Sequence, residues 1–133
     1  MRLVLSCVVA VVVSAQLALA GPFTTGNLVI SRIGDGAAAL SGNSAAVFLD
    51  EYTSLGSSVQ SVAIPTTDSG ANFALTLSGT STSQGQLTLS ADGNYLFIGG
   101  TNAPTGTSTP NSNGSFQGRT IARVGGNGVV DTT

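Results

Sequence analysis

Residues 86–98 read Gln-Leu-Thr-Leu-Ser-Ala-Asp-Gly-Asn-Tyr-Leu-Phe-Ile, and this stretch decides the predicted fold. Its leucines alternate with polar residues, as a half-buried strand requires, and a second apolar run follows. Between the runs, Gly93 supplies the positive φ of a tight turn, and the Asp92 side chain bonds to nearby backbone. The stretch therefore predicts two antiparallel strands joined by an Asp-Gly turn.

The chain from residue 21 onward contains short apolar runs separated by turn residues, and none of its segments has the period of an amphipathic helix. This pattern predicts an all-β, antiparallel fold. The strands are expected at residues 28–33, 46–52, 59–64, 73–77, 86–90, 95–98 and 120–124.

Glycine-rich turns and one long loop are expected between these strands. Residues 34–36 (Gly-Asp-Gly) and 125–128 (Gly-Gly-Asn-Gly) are typical of tight turns. Residues 101–118 are rich in Thr, Pro, Asn, Ser and Gly, and Phe116 is their single large apolar residue. This composition predicts an exposed, disordered loop.

The sequence also contains a weak internal repeat. Residues 26–30 (Gly-Asn-Leu-Val-Ile) match residues 93–97 (Gly-Asn-Tyr-Leu-Phe), and the second residues of the two motifs are 94 − 27 = 67 positions apart. Residues 48–52 and residues 120–124 are each followed, four residues later, by a glycine. These glycines, Gly56 and Gly128, are 128 − 56 = 72 positions apart. The order within the unit is strand, Asp-Gly turn, strand, loop, strand, Gly turn, strand, which predicts a four-stranded meander.

Residues 86–98 resemble the Ser-x-Asp-Gly repeat of lactonase-type and surface-layer β-propellers, although Ala91 stands where those repeats usually have proline. Residues 23–131 are also similar to the first segment of a group of uncharacterised secreted propeller-like proteins, at residues 26–29, 32–36 and 48–52. The resemblance implies antiparallel four-stranded meanders of a β-propeller, with about one and a half blades in residues 21–133. It implies no particular activity.

A propeller needs at least about four blades to close. On this interpretation the chain is expected to be an incomplete N-terminal fragment of a longer protein. The alternative fold is a β-sandwich.

Residues 1–20 have the three parts of a secretory signal peptide: a positive start, an apolar run and the small-x-small triplet at 18–20. Cleavage is expected between Ala20 and Gly21, and it would remove the only cysteine, Cys7. An uncleaved membrane anchor is the alternative, but polar residues interrupt the run and Pro22 would end a helix. We therefore expect a secreted, extracellular protein that keeps no stable membrane anchor.

Residue types missing from the sequence limit its partners and its chemistry. The mature chain has three arginines and no lysine, so it lacks the basic surface that binds nucleic acid. It has no histidine and no cysteine, which excludes the usual hydrolase triads and thiolate metal sites. We expect no enzyme activity, no cofactor and no metal.

Asp50 and Glu51 form the only adjacent acidic pair, and on a strand their side chains point to opposite faces. A solvated strand end is expected, and a carboxylate that holds a metal in a propeller channel is the alternative. Asp35 is interpreted as a turn residue rather than a calcium ligand. Arg119 and Arg123 share a strand face and are expected to pair with Asp50 or Glu51 of a neighbouring unit.

Asn113 begins the sequon Asn113-Gly114-Ser115 in the predicted loop and is a possible N-glycosylation site.

Three functions are compatible with the sequence. The first is a secreted β-propeller-like binding or structural module for an unknown extracellular ligand or matrix component. The second is a fragment of a lactonase-type enzyme whose catalytic residues lie outside this chain. The third is a cell-wall or adhesion β-sandwich.

Overall fold

The computed structural model describes residues 20–112 and 118–133. These residues form antiparallel β-sheets without a helix, which confirms the predicted all-β class. The strands are β1 (Leu28–Ile33), β2 (Ser44–Ala45), β3 (Val47–Tyr52), β4 (Ser58–Ala63), β5 (Leu77–Ser78), β6 (Thr88–Leu89), β7 (Tyr95–Thr101), β8 (Arg119–Gly125) and β9 (Val130–Asp131).

The first sheet contains three antiparallel strands in the order β1-β3-β4. β1 pairs with β3 along its whole length, and β4 pairs with the other edge of β3. The pairing of β3 with β4 is irregular between Glu51 and Tyr52. Because directly paired residues share a face, Val29, Glu51 and Gln60 lie on one side of the sheet.

The second sheet is a four-stranded meander in the order β6-β7-β8-β9. The Asp92-Gly93 turn joins β6 to β7, and the glycine-rich turn at residues 125–128 joins β8 to β9. This is the predicted order of strand, Asp-Gly turn, strand, loop, strand, Gly turn and strand. The strands β7-β8-β9 also repeat the antiparallel order of β1-β3-β4.

The two sheets contribute to one hydrophobic core. The first sheet contributes Val47, Leu49 and Val62, and the second contributes Ile98 and Val124. In each sheet these residues lie on a single face, and the two faces contribute to the same core. Each fully buried aliphatic side chain of this kind contributes about 1.5 to 3 kcal/mol relative to an exposed one.

Two predicted strands are much shorter than expected. Within residues 73–77 only Leu77 belongs to a strand, namely β5, which pairs with β2. Thr76 forms an isolated bridge with Thr101. The backbone N–H of Phe73 donates to Thr132 O, whereas that of Leu75 donates to Pro65 O. The segment thus bonds to several chain segments in turn rather than to one strand. Residues 86–90 likewise form a strand only at β6.

The predicted loop at residues 101–118 differs from expectation in its described part. Thr101 is the last residue of β7, and the side chains of Thr101, Ala103 and Pro110 are buried. Asn102 N–H donates to Gly118 O, so the two ends of the loop are hydrogen-bonded. The prediction of an exposed segment is therefore wrong at these positions.

Candidate functional site

A cleft of about 500 Å³ lies at the ends of the two sheets where β1 and β7 begin. Each strand is preceded by a Gly-Asn pair, Gly26-Asn27 before β1 and Gly93-Asn94 before β7, and all four residues line the cleft. These pairs are the two copies of the motif that suggested an internal repeat. The cleft thus brings together residues that are 67 positions apart (94 − 27) in the sequence.

The two turns are held in shape by local hydrogen bonds. Gly26 has φ = 91° and Gly93 has φ = 73°, conformations that favour glycine. Asp92 accepts hydrogen bonds from the Ser90 hydroxyl and from Asn94 N–H, as the turn interpretation predicts. These bonds, led by the one from Ser90, lower the pKa of Asp92 to about 2.

The cleft is lined by apolar side chains and by uncharged polar ones. Its apolar side chains are Phe23, Val29, Leu89, Leu96 and Val124. Its polar side chains are the amides of Asn27 and Asn94 and the hydroxyl groups of Thr25 and Tyr95, and glycines form the rest of the lining. Leu89 is 60% exposed, although its partner in the register, Leu96, is partly buried against the core. No Asp, Glu, Lys or Arg lines the cleft among the described residues.

A buried carboxylate lies directly behind the Gly26-Asn27 turn. Glu51 is 0% exposed and has no cationic partner among the described residues. Its Oε1 accepts hydrogen bonds of 2.7 Å from Thr24 N–H and from Asn27 Nδ2, and its Oε2 accepts one of 2.7 Å from Gln60 Nε2. Burial favours the neutral acid, but the three donors together outweigh it and lower the pKa of Glu51. Glu51 therefore fixes the turn that forms one wall of the cleft.

Asp50 points to the opposite face of the first sheet, as predicted, and forms a separate cluster. Arg32 Nε donates to Asp50 Oδ2 at 2.5 Å, and Ser61 Oγ donates to Asp50 Oδ1 at 2.5 Å. The hydrogen bond from Arg32 is the largest of the effects that lower the pKa of Asp50. The Arg32 guanidinium also lies 4.3 Å from the centre of the Phe48 ring.

The prediction that Asp50 and Glu51 form a solvated strand end is wrong. Asp50 is 5% exposed and Glu51 is 0% exposed. The two carboxylates are buried on different sides of the sheet, so they cannot act on one bond of a substrate.

The arginines of β8 also have different partners from those expected. Arg123 Nη2 donates to Asp131 Oδ2 at 2.5 Å, and its guanidinium lies 5.2 Å from the centre of the Tyr95 ring. Arg119 Nη1 donates to Thr101 Oγ1 at 2.8 Å. The two arginines do share the outer face of β8, but their partners are residues of the second sheet, and neither partner is Asp50 or Glu51.

The remaining predicted positions have simple surroundings. Asp35 accepts a hydrogen bond from Ala37 N–H at 2.9 Å, as expected of a turn residue. Ala20 and Gly21, at the predicted cleavage point, lie against the turn at Gly128. Asn113 lies outside the described residues, as do residues 1–19 of the predicted signal peptide. Within the described part of the chain, no three Asp, Glu, His or Cys side chains are grouped closely enough to hold a metal.

Sequence reasoning missed Asn27 and Gln60 as partners of Glu51. One weak signal was present: Gln60 is the only side chain of β4 with a long hydrogen-bonding amide, and it follows Glu51 across a tight turn. In the observed register of β3 and β4, Glu51 and Gln60 lie directly opposite each other.

Comparisons with protein-family models, with curated proteins and with solved structures gave no match. Over residues 20–112 and 118–133, no helix is long and apolar enough to cross a membrane.

Proposed function

We propose that the protein is a secreted binding module whose cleft holds an uncharged ligand with one apolar face. The observation that carries this proposal is the lining of the cleft. Its lining combines five apolar side chains with amide and hydroxyl groups, and it has no ionic side chain among the described residues. Apolar sites with a few polar groups are typical of small-molecule binding. The signal peptide in the sequence supports an extracellular location.

The carboxylates support binding rather than catalysis. All six acidic side chains of the chain accept hydrogen bonds from described residues, and none of them lines the cleft. A general acid or base has to reach the reacting atoms, within about 3 Å or through one water. Among the residues that the structure describes, Tyr95 is the one titratable side chain that lines the cleft.

We further propose that the two sheets are neighbouring blades of a propeller-like repeat. The shared order of β1-β3-β4 and β7-β8-β9 and the equivalent Gly-Asn turns support this interpretation. A β-sandwich is the alternative, and a core shared by the two sheets is compatible with both folds. Light scattering on residues 21–133 produced alone separates the two: a sandwich stays monomeric at every concentration, whereas part of a propeller self-associates through its unpaired strand edges as the protein concentration rises.

Leu89 provides a direct test of the binding proposal. The neutral dye Nile red serves as the probe, and its fluorescence is titrated with protein. Leu89→Asn is expected to weaken binding about tenfold, because it removes an apolar contact of about 1.4 kcal/mol or more. Since Leu89 is 60% exposed, the variant should fold normally.

Leu55→Asn is the matched control. Leu55 is 93% exposed and lies in the turn between β3 and β4, and it does not line the cleft. This variant should bind the dye like the unmodified protein. Equal affinities for the Leu89 and Leu55 variants would contradict the proposal.

A further inference from the structure

The segment that follows the predicted cleavage point is fastened to both sheets. Phe23 N–H donates to Gly126 O at 2.8 Å in the β8–β9 turn, and Thr24 N–H donates to Glu51 in the first sheet. Gly128 packs so closely that a Cβ added there would lie 2.5 Å from Gly21 O. The chain immediately after Ala20 is therefore an ordered part of the fold.

The side chain of Gln60 binds both backbone groups of Gly21. Its N–H donates to Gln60 Oε1 at 2.9 Å, and its carbonyl oxygen accepts from Gln60 Nε2 at 3.1 Å. The same Nε2 donates to Glu51 Oε2 at 2.7 Å. One amide group thus separates the Gly21 nitrogen from a fully buried carboxylate.

Cleavage after Ala20 would convert the Gly21 nitrogen from an amide into a positively charged amine. Glu51 is buried without a cation beside it, an arrangement that costs free energy unless hydrogen bonds or an opposite charge offset it. An ammonium group at Gly21 would supply the opposite charge, and Gln60 Oε1 is already in place to accept a hydrogen bond from it.

We propose that Gln60 and Glu51 form a built site for the α-ammonium group of Gly21, so that removal of the signal peptide completes an ionic network that links a partly buried amine to the buried Glu51. The proposal rests on the secretory processing in the proposed function. Glu51 is the titratable side chain that contacts residues 20–24, and the other contacts of this segment, with Gln60, Gly126 and Gly128, are uncharged.

The test compares two forms of residues 21–133 that differ only at the amine. One form has a free amino group at Gly21, and the other is N-acetylated. The acetyl group takes the place of the Ala20 carbonyl and keeps the N–H that bonds Gln60, so it removes the charge and preserves this hydrogen bond. This comparison requires no substitution in the core.

The free amine is expected to titrate with a pKa about one unit above the usual 7.7 to 8.0, measured by NMR on a Gly21 label. A raised pKa in the folded state means that the added stability is present below about pH 8 and is lost as the pH rises through the folded value. The free-amine form should therefore melt about 5 °C above the acetylated form at pH 7 and lose that difference by about pH 10.

An α-amine pKa at or below 8, or equal melting temperatures of the two forms at pH 7, would overturn the inference. Failure of the proposed secretion gives a different result. In that case the intact mass of the protein isolated from cells and medium would show an N-terminus other than Gly21. A Gly21 terminus combined with an ordinary pKa would contradict only the ammonium site.

Discussion

Glu51→Ala is expected to lower the free energy of unfolding by about 3 to 5 kcal/mol, which is a large part of the stability of a small domain. The substitution removes the acceptor of three donors at once, on Thr24, Asn27 and Gln60. Because Glu51 is 0% exposed, water does not reach its carboxylate and cannot readily replace it as the acceptor of these donors. Urea unfolding of both proteins measures the difference.

Asp35→Ala is the matched control for this prediction. Asp35 is exposed and accepts one hydrogen bond, from Ala37 N–H. Its loss should change the free energy of unfolding by less than about 1 kcal/mol. If Glu51→Ala costs no more than Asp35→Ala, the buried network does not stabilise the fold as described.

The charge of Glu51 also predicts how acid affects the protein. Burial alone would raise its pKa, but the donors lower it overall, below the unfolded value of about 4.3. Its contribution to stability is therefore present above the unfolded pKa and is lost as the pH falls through the folded one. Glu51→Gln keeps the shape and should reduce this dependence on pH between about 5 and 3.

Gly100→Ala is expected to lower the free energy of unfolding by about 2 to 4 kcal/mol, because the new methyl group overfills the core. A Cβ at Gly100 would lie 2.6 Å from Leu75 Cδ2, 2.7 Å from Leu75 Cγ and 2.9 Å from Thr76 O. Leu75 is fully buried and Thr76 O accepts the N–H of Thr101, so neither has room to move. Thermal unfolding followed by circular dichroism measures the loss.

Gly99→Ala is a control at the adjacent residue of the same strand. A Cβ at Gly99 would meet no atom within 4 Å, and Gly99 also lies within β7. Alanine there should be neutral or slightly stabilising, since it restricts the unfolded chain. Equal losses in the two variants would mean that β7 does not pack against Leu75.

The sequence was sufficient to predict much of the sheet structure. β1 was predicted at its observed bounds, and β3, β4 and β8 were predicted within one residue at each end. These strands have six or seven residues and each pairs with a neighbouring strand along all or most of its length, so the alternation of their side chains is visible in the sequence. The Asp92-Gly93 turn was predicted for the same reason, because its hydrogen bonds are local.

The buried carboxylates were not predictable because their partners are distant in sequence. Thr24 and Asn27 are 27 and 24 residues from Glu51, and Arg32 is 18 residues from Asp50. A charged pair on a strand is ordinarily exposed, and only the assembled sheet shows that these two are covered. The cleft is likewise not evident from the sequence, although the two Gly-Asn motifs that line it form part of the internal repeat.

Amide chemical shifts of ¹⁵N-labelled residues 21–133 during a titration with Nile red test the binding cleft most directly. The account predicts that the largest changes fall on the amides of Gly26, Asn27, Gly93 and Asn94, which line the cleft. The exposed outer faces of the sheets, at Ile30 and Ile121, should change little. Changes centred on those outer faces, with none at the two Gly-Asn turns, would contradict it.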